Sequence, residues 1–591
     1  MDTTERTEDI FEHIDGYQKP ALIPIPEYGD LSTITELGVK PGRFSEAVVQ
    51  AAMAIMGFKS FQQQLPHTLE SLLRRSNLRG AGLFAPIISA TTTLDDDPRE
   101  LNAYERAATL LFGARSLYDD LRSASLPQDM YKERVLEMGQ YPNLFSTSLI
   151  VENKSARIYK SKNVSQVTVL AGGRIYLLQV GKLGTDTSLE QLSSALKNLH
   201  TSSVQNPLKE GEYSPGILTC ASHASQVPMF TRLQEDDNNR NSLLALRDSF
   251  VTVCLDLESE PSSSAEAAKL AQSTNGDNRW HHSSFQLVVF GNAKACTICN
   301  FNAYVDGNAM ARGSVEVHRR ALLAPLSKDS QDEPSGLPQA EELIWRIPPE
   351  FVERAREEFK SVTDDQKATF EIGHIGRGNF KELNIPAVPA FILALQLTAR
   401  HLTGEMAKIS QFLSLSAYRC MDLTFADVTT PEVSRFVEYM DGDEVDRSQA
   451  RSFMQEAIDS QTRAARDERR QLSFSKMLGL FMYSKKGFPR MLTGLFLGLT
   501  IMFLKLLGMY RSPETEILVS HPTIYPEVDV IGRPGIRLPY VKYFSLHYQI
   551  MADKIVITPM PGVTWEVSNQ VLVDELEKNL EQILWVAEED N

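Results

Sequence analysis

Residues 283–310 read SSFQLVVFGNAKACTICNFNAYVDGNAM, and two runs within them, 283–290 and 295–305, have the composition of strands. The second run ends at Asp306-Gly307, a pair typical of a turn. Three polar side chains near that end share one parity and therefore one face of the strand: Asn300, Asn302 and Asp306. None of the three is a general base as good as a histidine. The stretch therefore predicts two strands and a polar strand end that lacks a base.

Outward from these strands, strand-like and helix-like segments alternate. Residues 166–180 predict a hairpin that turns at Gly172-Gly173, 216–219 predict a strand, and 259–277 predict a surface loop. The predicted helices are 43–75, 99–125, 187–199, 349–362, 389–403, 447–472 and 570–586, and further predicted strands are 541–549 and 554–558. This order predicts an α/β fold with two similar lobes, joined at the linker 325–341, which is rich in Pro, Ser and acidic residues.

Composition narrows the functional classes. The chain has 591 residues, too many for one compact core, and its net charge of −16 disfavours nucleic acid as a partner. Five cysteines indicate reduced thiols rather than a disulfide framework. Cys296 and Cys299 point to opposite faces of a strand, so we expect no metal site there. The acidic N-terminus MDTTERTEDIFEHIDGY and the C-terminus VAEEDN resemble no targeting signal, which favours a cytoplasmic protein.

Residues 491–510, MLTGLFLGLTIMFLKLLGMY, are almost wholly apolar. Their length suits a bilayer span, and the upstream Lys485-Lys486 suits a headgroup surface. The alternative is a buried or groove-lining pair of helices, broken at Gly494 and Gly498. Lys505 and the strand-rich tail favour that alternative. Membrane contact and a buried helix pair both stay open.

Six short sequence motifs together resemble those of a known family, although each motif alone is too short to be specific. They are Pro215-Gly-Ile-Leu-Thr219, Asn241-Ser-Leu, Val253-Cys-Leu-Asp256, Asn278-Arg-Trp280 before FQLVV, Ala394-Leu-Gln-Leu397 and Met477-Leu-Gly-Leu480. In this order and spacing, over roughly residues 20–590, the chain resembles the choline/carnitine acyltransferase family.

The resemblance implies two related α/β lobes, similar to chloramphenicol acetyltransferase, with an active-site tunnel between them. Residues 1–19 would be an N-terminal arm, 90–345 the first lobe, and 20–89 with 346–591 the second lobe. Coenzyme A would enter from one mouth of the tunnel and carnitine or choline from the other. No cofactor is required, and a coenzyme A thioester would be a co-substrate.

In that family, a histidine in the pattern His-x-x-x-Asp/Glu-Gly/Ala takes the proton of the attacking group. The resemblance aligns this pattern with Asn302 and Asp306-Gly307, and a neutral amide accepts no proton at pH 7. The family's Ser-Thr-Ser motif aligns with Val519-Ser520-His521. We therefore hypothesise that His521 is a base supplied by the opposite lobe, while Asn302 and Ser520 bind the substrate oxygen. In the alternative, His521 merely ends a strand.

The residues that the resemblance assigns to carnitine also differ. The family's Tyr-Glu-Thr/Ser segment aligns with Phe412-Leu-Ser414, its Gly-Arg-Thr segment with Leu423-Thr424-Phe425, and a later arginine with Thr429. A carboxylate there would be desolvated without partners, which disfavours carnitine as the acceptor. On the coenzyme A side, Arg377 and Lys381 remain as cations that could meet phosphates.

Three other histidines need a place. The resemblance puts His281 and His282 at the start of a strand, where adjacent side chains cannot share a face, so a joint metal site is disfavoured. We interpret His547 as structural.

Two functions follow from these departures. The first is a retooled enzyme, acting on an uncharged hydrophobic molecule such as a polyketide or terpenoid, by acyl transfer from a thioester or by rearrangement or cyclisation. The alternative is an inactive protein that binds an acyl chain or a protein partner. Direct carnitine acyl transfer would need a base that the alignment lacks. We expect a monomer.

Overall fold

A computed structural model of the chain describes most of its residues. The described ranges are 11–27, 30, 39–40, 42–77, 89–151, 156–273, 276–300, 305, 307–326, 336–363, 369–421, 423–485, 488–510, 515–521, 530–531, 542–561 and 565–588. Two residues assigned to the site from the sequence, Asn302 and Asp306, lie outside the described residues.

The described part forms helices and strands in alternation, which confirms the predicted α/β class. The helices are α1 (Arg43–Ile55), α2 (Phe58–Asn77), α3 (Ala103–Arg122), α4 (Leu189–Gln205), α5 (His223–Leu233), α6 (Asp237–Arg247), α7 (Ser264–Ser273), α8 (Gly307–Leu322), α9 (Pro349–Thr363), α10 (Arg377–Glu382), α11 (Ala387–Thr403), α12 (Pro431–Met440), α13 (Arg447–Glu468), α14 (Phe474–Ser484), α15 (Phe488–Leu506) and α16 (Asn569–Ala587). The strands are β1 (Ser89–Leu94), β2 (Met130–Tyr131), β3 (Arg134–Val135), β4 (Thr147–Val151), β5 (Ala156–Lys160), β6 (Gln166–Ala171), β7 (Arg174–Gln179), β8 (Thr252–Asp256), β9 (Phe285–Phe290), β10 (Ala295–Asn300), β11 (Gln339–Glu342), β12 (Phe370–Ile372), β13 (Lys408–Ser414), β14 (Leu423–Asp427), β15 (Thr515–Ser520), β16 (Val530–Ile531), β17 (Lys542–Ile550) and β18 (Ile555–Pro561).

The first lobe is built on an eight-stranded mixed sheet in the order β11-β7-β6-β8-β9-β10-β1-β16. The predicted hairpin is confirmed, since β6 and β7 pair antiparallel and turn at Gly172 and Gly173, both with positive φ. Strands β9 and β10 pair antiparallel and are buried throughout, so both lie in the core of the first lobe. Helices α3 and α8 cross closely at Gly113, where a Cβ atom would lie 2.2 Å from Val317 O.

The second lobe is built on a six-stranded sheet in the order β12-β18-β17-β15-β13-β14. Strands β13, β15 and β17 run parallel. One face of this sheet packs its apolar side chains against α11 and α16 in a single core. At the centre of that contact, the ring of Phe391 in α11 stacks on Tyr548 in β17, with ring centroids 4.0 Å apart.

Two local predictions are wrong. Residues Gly216–Cys220 form a buried 3-10 helix rather than a strand, because a short apolar run does not distinguish the two by its pattern. A Cβ atom at Gly216 would lie 2.4 Å from Arg279 O, so this helix packs directly on a neighbouring backbone. The predicted loop 259–277 contains α7, whose Ala267, Ala268 and Ala271 are buried at helical spacing.

The first lobe also extends further than the sequence predicts. Helix α9 was assigned to the second lobe, yet its Val352, Ala355 and Phe359 lie in the core beside the 216–220 helix. The end of the predicted linker forms β11, which pairs with β7. From the far end of the chain, β16 pairs with β1. The first-lobe core therefore runs to Phe359 rather than to 345.

A separate helical cluster joins α1, α2, α14 and α15. The ring of Phe58 contacts Phe474 and Phe481, with centroids 5.8 Å and 5.3 Å away. The predicted helix pair broken at Gly494 and Gly498 is wrong, because α15 runs unbroken through both. Among the described residues it is the one helix with the length and composition to cross a membrane, over Pro489–Leu506, and only 11% of that window is buried.

Candidate functional site

Two cavities meet at His521, the residue that follows β15. The large cavity has a volume of about 840 Å³, and the small cavity about 620 Å³. Both are lined by His521 together with Pro386, Val388 and Pro389 from the first turn of α11. A histidine thus stands where two separate ligands could approach each other.

Burial keeps the His521 imidazole neutral. Its ring packs on Tyr548, with centroids 5.2 Å apart. Desolvation lowers the pKa of His521 to about 4, and the charges of His547 and Arg377 act in the same direction. At pH 7 the ring is therefore neutral and can accept a proton, and its low pKa makes it a weaker base than a solvated histidine.

A second histidine lies on the neighbouring strand. Strands β15 and β17 place Ser520 directly opposite His547, and Ser520 Oγ lies 2.9 Å from His547 Nδ1. The interpretation of His547 as structural rests on the resemblance, and the sequence gives no sign of this cross-strand register. Since His547 contacts Ser520 while the adjacent Tyr548 contacts His521, Ser520 and His521 lie on opposite faces of the sheet. The structure does not bring these two predicted residues together.

The Ser520 face of the sheet meets the first lobe. Ser410 Oγ lies 3.5 Å from Glu516 Oε1 on that face, and Ser414, of the same parity as Ser410, accepts a hydrogen bond of 3.0 Å from Asn308 Nδ2 of α8. Asn308 follows Asp306-Gly307 by one residue. The predicted residue Ser414 therefore contacts the first turn of α8, which begins at Gly307.

The large cavity combines aromatic and cationic side chains. Phe412 lines it and packs on Phe425 of the paired strand, with ring centroids 4.5 Å apart. Both phenylalanines are predicted from the sequence, but the arginines of this cavity are not. They are Arg134, Arg466, Arg469 and Arg470. Three of them belong to the RAARDERR run, residues 463–470, which the sequence predicts only as part of the helix 447–472.

Two further residues predicted to bind substrate are engaged within the second lobe. Thr424 Oγ1 donates to Glu468 Oε1 at 2.8 Å. Thr429 Oγ1 donates to Ala407 O and accepts from Ile409 N, which ties the end of β14 to the start of β13. Both hydroxyls therefore support the strands that carry Phe412 and Phe425.

The small cavity carries the two predicted cations, Arg377 and Lys381. Arg377 Nη2 donates to Ile550 O at 2.9 Å, which fixes the guanidinium beside the end of β17. Lys381 is exposed, one turn further along α10. Both can meet an anionic ligand that enters this cavity.

The first-lobe histidines lie in a closed environment. His281 and His282 precede β9, which begins at Phe285, so the prediction that they begin a strand is wrong. His282 Nε2 lies 2.8 Å from Gln226 Oε1, and burial lowers the pKa of His282 to about 3. The cavity beside it measures about 20 Å³, which holds no substrate.

The cysteines of β10 are similarly closed off. Burial raises the pKa of Cys296 to about 12 and raises that of Cys299 well above its ordinary value. Both thiols are therefore protonated at neutral pH and are poor nucleophiles.

Comparisons with known proteins place the chain. A family model for choline/carnitine O-acyltransferase matches residues 81–523. Carnitine O-acetyltransferase of Columba livia is 24% identical over 368 residues, covering 58% of this chain and 57% of that protein. The human carnitine O-acetyltransferase is 23% identical over 375 residues, covering 60% and 58%. The highly reducing polyketide synthase ltbA of Aspergillus luteorubrus is 25% identical over 228 residues, or 38% of this chain and 7% of that protein.

The chain thus spans less than two thirds of the length of the carnitine O-acetyltransferases it matches. Among solved structures, TRI3 trichothecene 15-O-acetyltransferase from Fusarium sporotrichioides has a TM-score of 0.41 and 11% identity, covering 87% of this chain and 94% of that one. The first condensation domain of the CDA synthetase has a TM-score of 0.35 and 10% identity, covering 87% and 93%. Because the family match runs from before the first sheet to beyond His521, the chain belongs to the choline/carnitine O-acyltransferase family.

Proposed function

We propose that this protein is an acyltransferase whose general base is His521, and whose acceptor binds in the large cavity. The observation that carries the proposal is that His521 lines both cavities. Transfer needs an acyl donor and an acceptor that meet at one base. The thioester donor is placed in the small cavity, where Arg377 and Lys381 are available for phosphates such as those of coenzyme A.

The proposed reaction balances without a cofactor. The neutral His521 imidazole takes the proton of the acceptor hydroxyl as its oxygen attacks the thioester carbonyl. The carbon–sulfur bond then breaks, and the leaving thiolate takes the proton from His521. The products are an ester and a free thiol, and the imidazole returns to its neutral form.

The acceptor is proposed to combine an apolar body with an anionic group. Phe412, which lines the cavity and packs on Phe425, favours the hydrophobic acceptor expected from the sequence. The four arginines of the same cavity add a cationic wall, which favours a carboxylate or phosphate rather than a fully uncharged molecule. A hydroxylated fatty or polyketide acid has this chemistry, and a polyketide synthase is among the relatives in sequence.

The Ser520–His547 pair offers a second candidate base for the same reaction. Its hydrogen bond of 2.9 Å lies on the face that meets the first lobe near Asn308. In that version, His547 accepts a proton through Ser520, and Asn302 holds the substrate oxygen. Asp306 is assigned, by the resemblance, the acidic position of the family's pattern.

The test is thiol release from acetyl- and octanoyl-coenzyme A, with a hydroxylated fatty acid or carnitine as acceptor and the ester identified by mass spectrometry. We expect release with the hydroxy acid, and a loss of about 100-fold or more in kcat for His521→Ala. His374→Ala is the matched control, since His374 is an exposed histidine of the same lobe.

Unchanged turnover in His521→Ala together with loss in His547→Ala would move the base to the Ser520 face. Ester formation on carnitine alone would contradict the proposed acceptor. A bound ligand that never turns over would identify a binding protein instead of an enzyme.

A further inference from the structure

Helix α15 turns apolar side chains away from the protein. Met491, Leu495 and Leu506 are 65%, 61% and 78% exposed, while Leu504 is fully buried. The spacing of the exposed residues follows one side of a helix. This outer face of α15 consists of Met491, Leu495, Leu499, Met502 and Leu506, flanked by Leu492, Phe503 and Leu507, which are exposed as well.

The polar side chains of α15 are not on its outer face. Thr493 is buried, and its Oγ1 donates to Pro489 O at 2.8 Å. Thr500 Oγ1 likewise donates to Phe496 O at 2.9 Å, so both hydroxyls are satisfied within the helix. A helix on the surface of a water-soluble protein has the opposite arrangement, with its apolar stripe inward. A continuous apolar face of this kind marks a contact with a membrane or another protein.

The charges around this face identify the partner. Residues 474–510 contain no Asp or Glu, although the whole chain has a net charge of −16. The cations of this segment are Lys476, Lys485, Lys486, Arg490 and Lys505. Arg490 and Lys505 are exposed at the two ends of α15. Because all the charged residues of this segment are cations, its apolar face is complementary to anionic lipid headgroups above acyl chains.

The attachments of α15 decide between lying on a bilayer and crossing it. The helix has 19 residues and a length of about 28 Å, which is close to the thickness of a bilayer core. It nevertheless packs along its inner side on α1 and α14. Just beyond its end, Lys40 N donates to Met509 O at 2.9 Å, and Val39 pairs with Tyr510. A helix attached to the protein body on its inner side and just beyond its end is better placed to lie on a bilayer than to cross it.

We propose that α15 is a membrane-docking helix that lies in the headgroup region of an anionic bilayer, with its outer face in the acyl layer. The inference is independent of the proposed reaction, because it rests on a surface outside both cavities. It gives the protein a location beside lipids, where amphipathic acids partition.

The test is flotation of the full-length protein with two kinds of vesicle: equal parts of phosphatidylcholine and phosphatidylserine, and phosphatidylcholine alone. We expect binding to the anionic vesicles that weakens as salt is raised. The variant Leu495→Glu/Leu499→Glu/Met502→Glu should lose at least about tenfold in vesicle affinity, since it places carboxylates in the acyl layer. Leu244→Glu is the matched control, because Leu244 is an exposed leucine on α6 of the other lobe.

The triple variant changes only exposed side chains, so its circular dichroism spectrum and thermal midpoint should match those of the unmodified protein. Arg490→Glu/Lys505→Glu should reduce the preference for phosphatidylserine and leave any binding to phosphatidylcholine unchanged. The proposal is overturned if the unmodified protein does not float with anionic vesicles, or if the triple variant floats equally well. It is also overturned if the protein ignores lipid but forms a dimer that the triple variant dissociates, since the outer face would then bind a second copy.

Discussion

Helices α11 and α15 are both strongly apolar helices of the second half of the chain, yet they occupy opposite environments. In α11, every residue from Ala390 to Ala399 is buried, between the second sheet and helices α12, α13 and α16. In α15, most of the outward side chains are exposed leucines and methionines. The difference shows that hydropathy predicts that a helix lies in an apolar environment. It does not predict whether that environment is the protein core or a lipid phase.

The two helices also differ in what they position. The buried Phe391 of α11 supports Tyr548, which in turn supports the ring of His521. The first turn of α11 lines both cavities. Helix α15 lines neither of them. Changes in α11 are therefore expected to reach the site, whereas changes in α15 are expected to alter only where the protein binds.

The largest effect is expected for Phe391→Ala. Loss of this fully buried ring should lower the free energy of unfolding by about 3–5 kcal/mol, from lost burial and the cavity left behind. It should also reduce kcat, because Tyr548 loses the ring on which it stacks. Urea unfolding and the thiol-release assay measure the two effects. A variant that is destabilised but fully active would show that the packing of Phe391 in α11 does not affect the activity of His521.

A smaller effect is expected from pH, because α11 helps to bury His521. The folded-state pKa of about 4 lies below the ordinary 6.5, so the unfolded chain binds the proton more readily. The resulting stability is fully present above pH 6.5 and is lost as pH falls towards 4, by about 1.4 kcal/mol per pH unit. His521→Gln should remove this slope, as measured by unfolding across that range.

The same residue sets a prediction for the rate. If His521 is the base, activity should stay level through the neutral range and fall only as pH approaches 4. Two results would show that His521 is solvated in solution. One is an equal pH dependence of the unfolding free energy in the unmodified protein and in His521→Gln, and the other is a rate that falls near pH 6.5.

The parts predicted from the sequence are those set by local pattern. The β6–β7 hairpin follows from Gly172-Gly173 between two alternating runs, and most helices follow from their spacing. Pairing between distant segments was not predictable in this way. Which lobe α9 packs against depends on its contact with the distant residues 216–220. The Ser520–His547 hydrogen bond depends on which strands become neighbours in the sheet.

The site shows the same division. Phe412 and His521 were named because the resemblance placed them, and both line the large cavity. Its arginines come from β3 and the end of α13, and no sequence pattern shows that these segments converge. The outward orientation of α15 was equally hidden, since an apolar run has no period that tells inside from outside.

The smallest effect is expected for Leu499→Ala, set against Leu395→Ala in α11. Leu395 is fully buried, so its truncation should cost about 2–5 kcal/mol of unfolding free energy. Leu499 is 49% exposed, and its truncation should change stability by no more than about 0.5 kcal/mol in the absence of lipid. The affinity for anionic vesicles should also differ between the two variants. Only Leu499→Ala should weaken vesicle binding, because only this change removes a side chain from the outer face of α15. If both variants lost a similar amount of unfolding free energy in lipid-free solution, a second protein chain would already cover α15. Helix α15 would then be buried against protein, as α11 is.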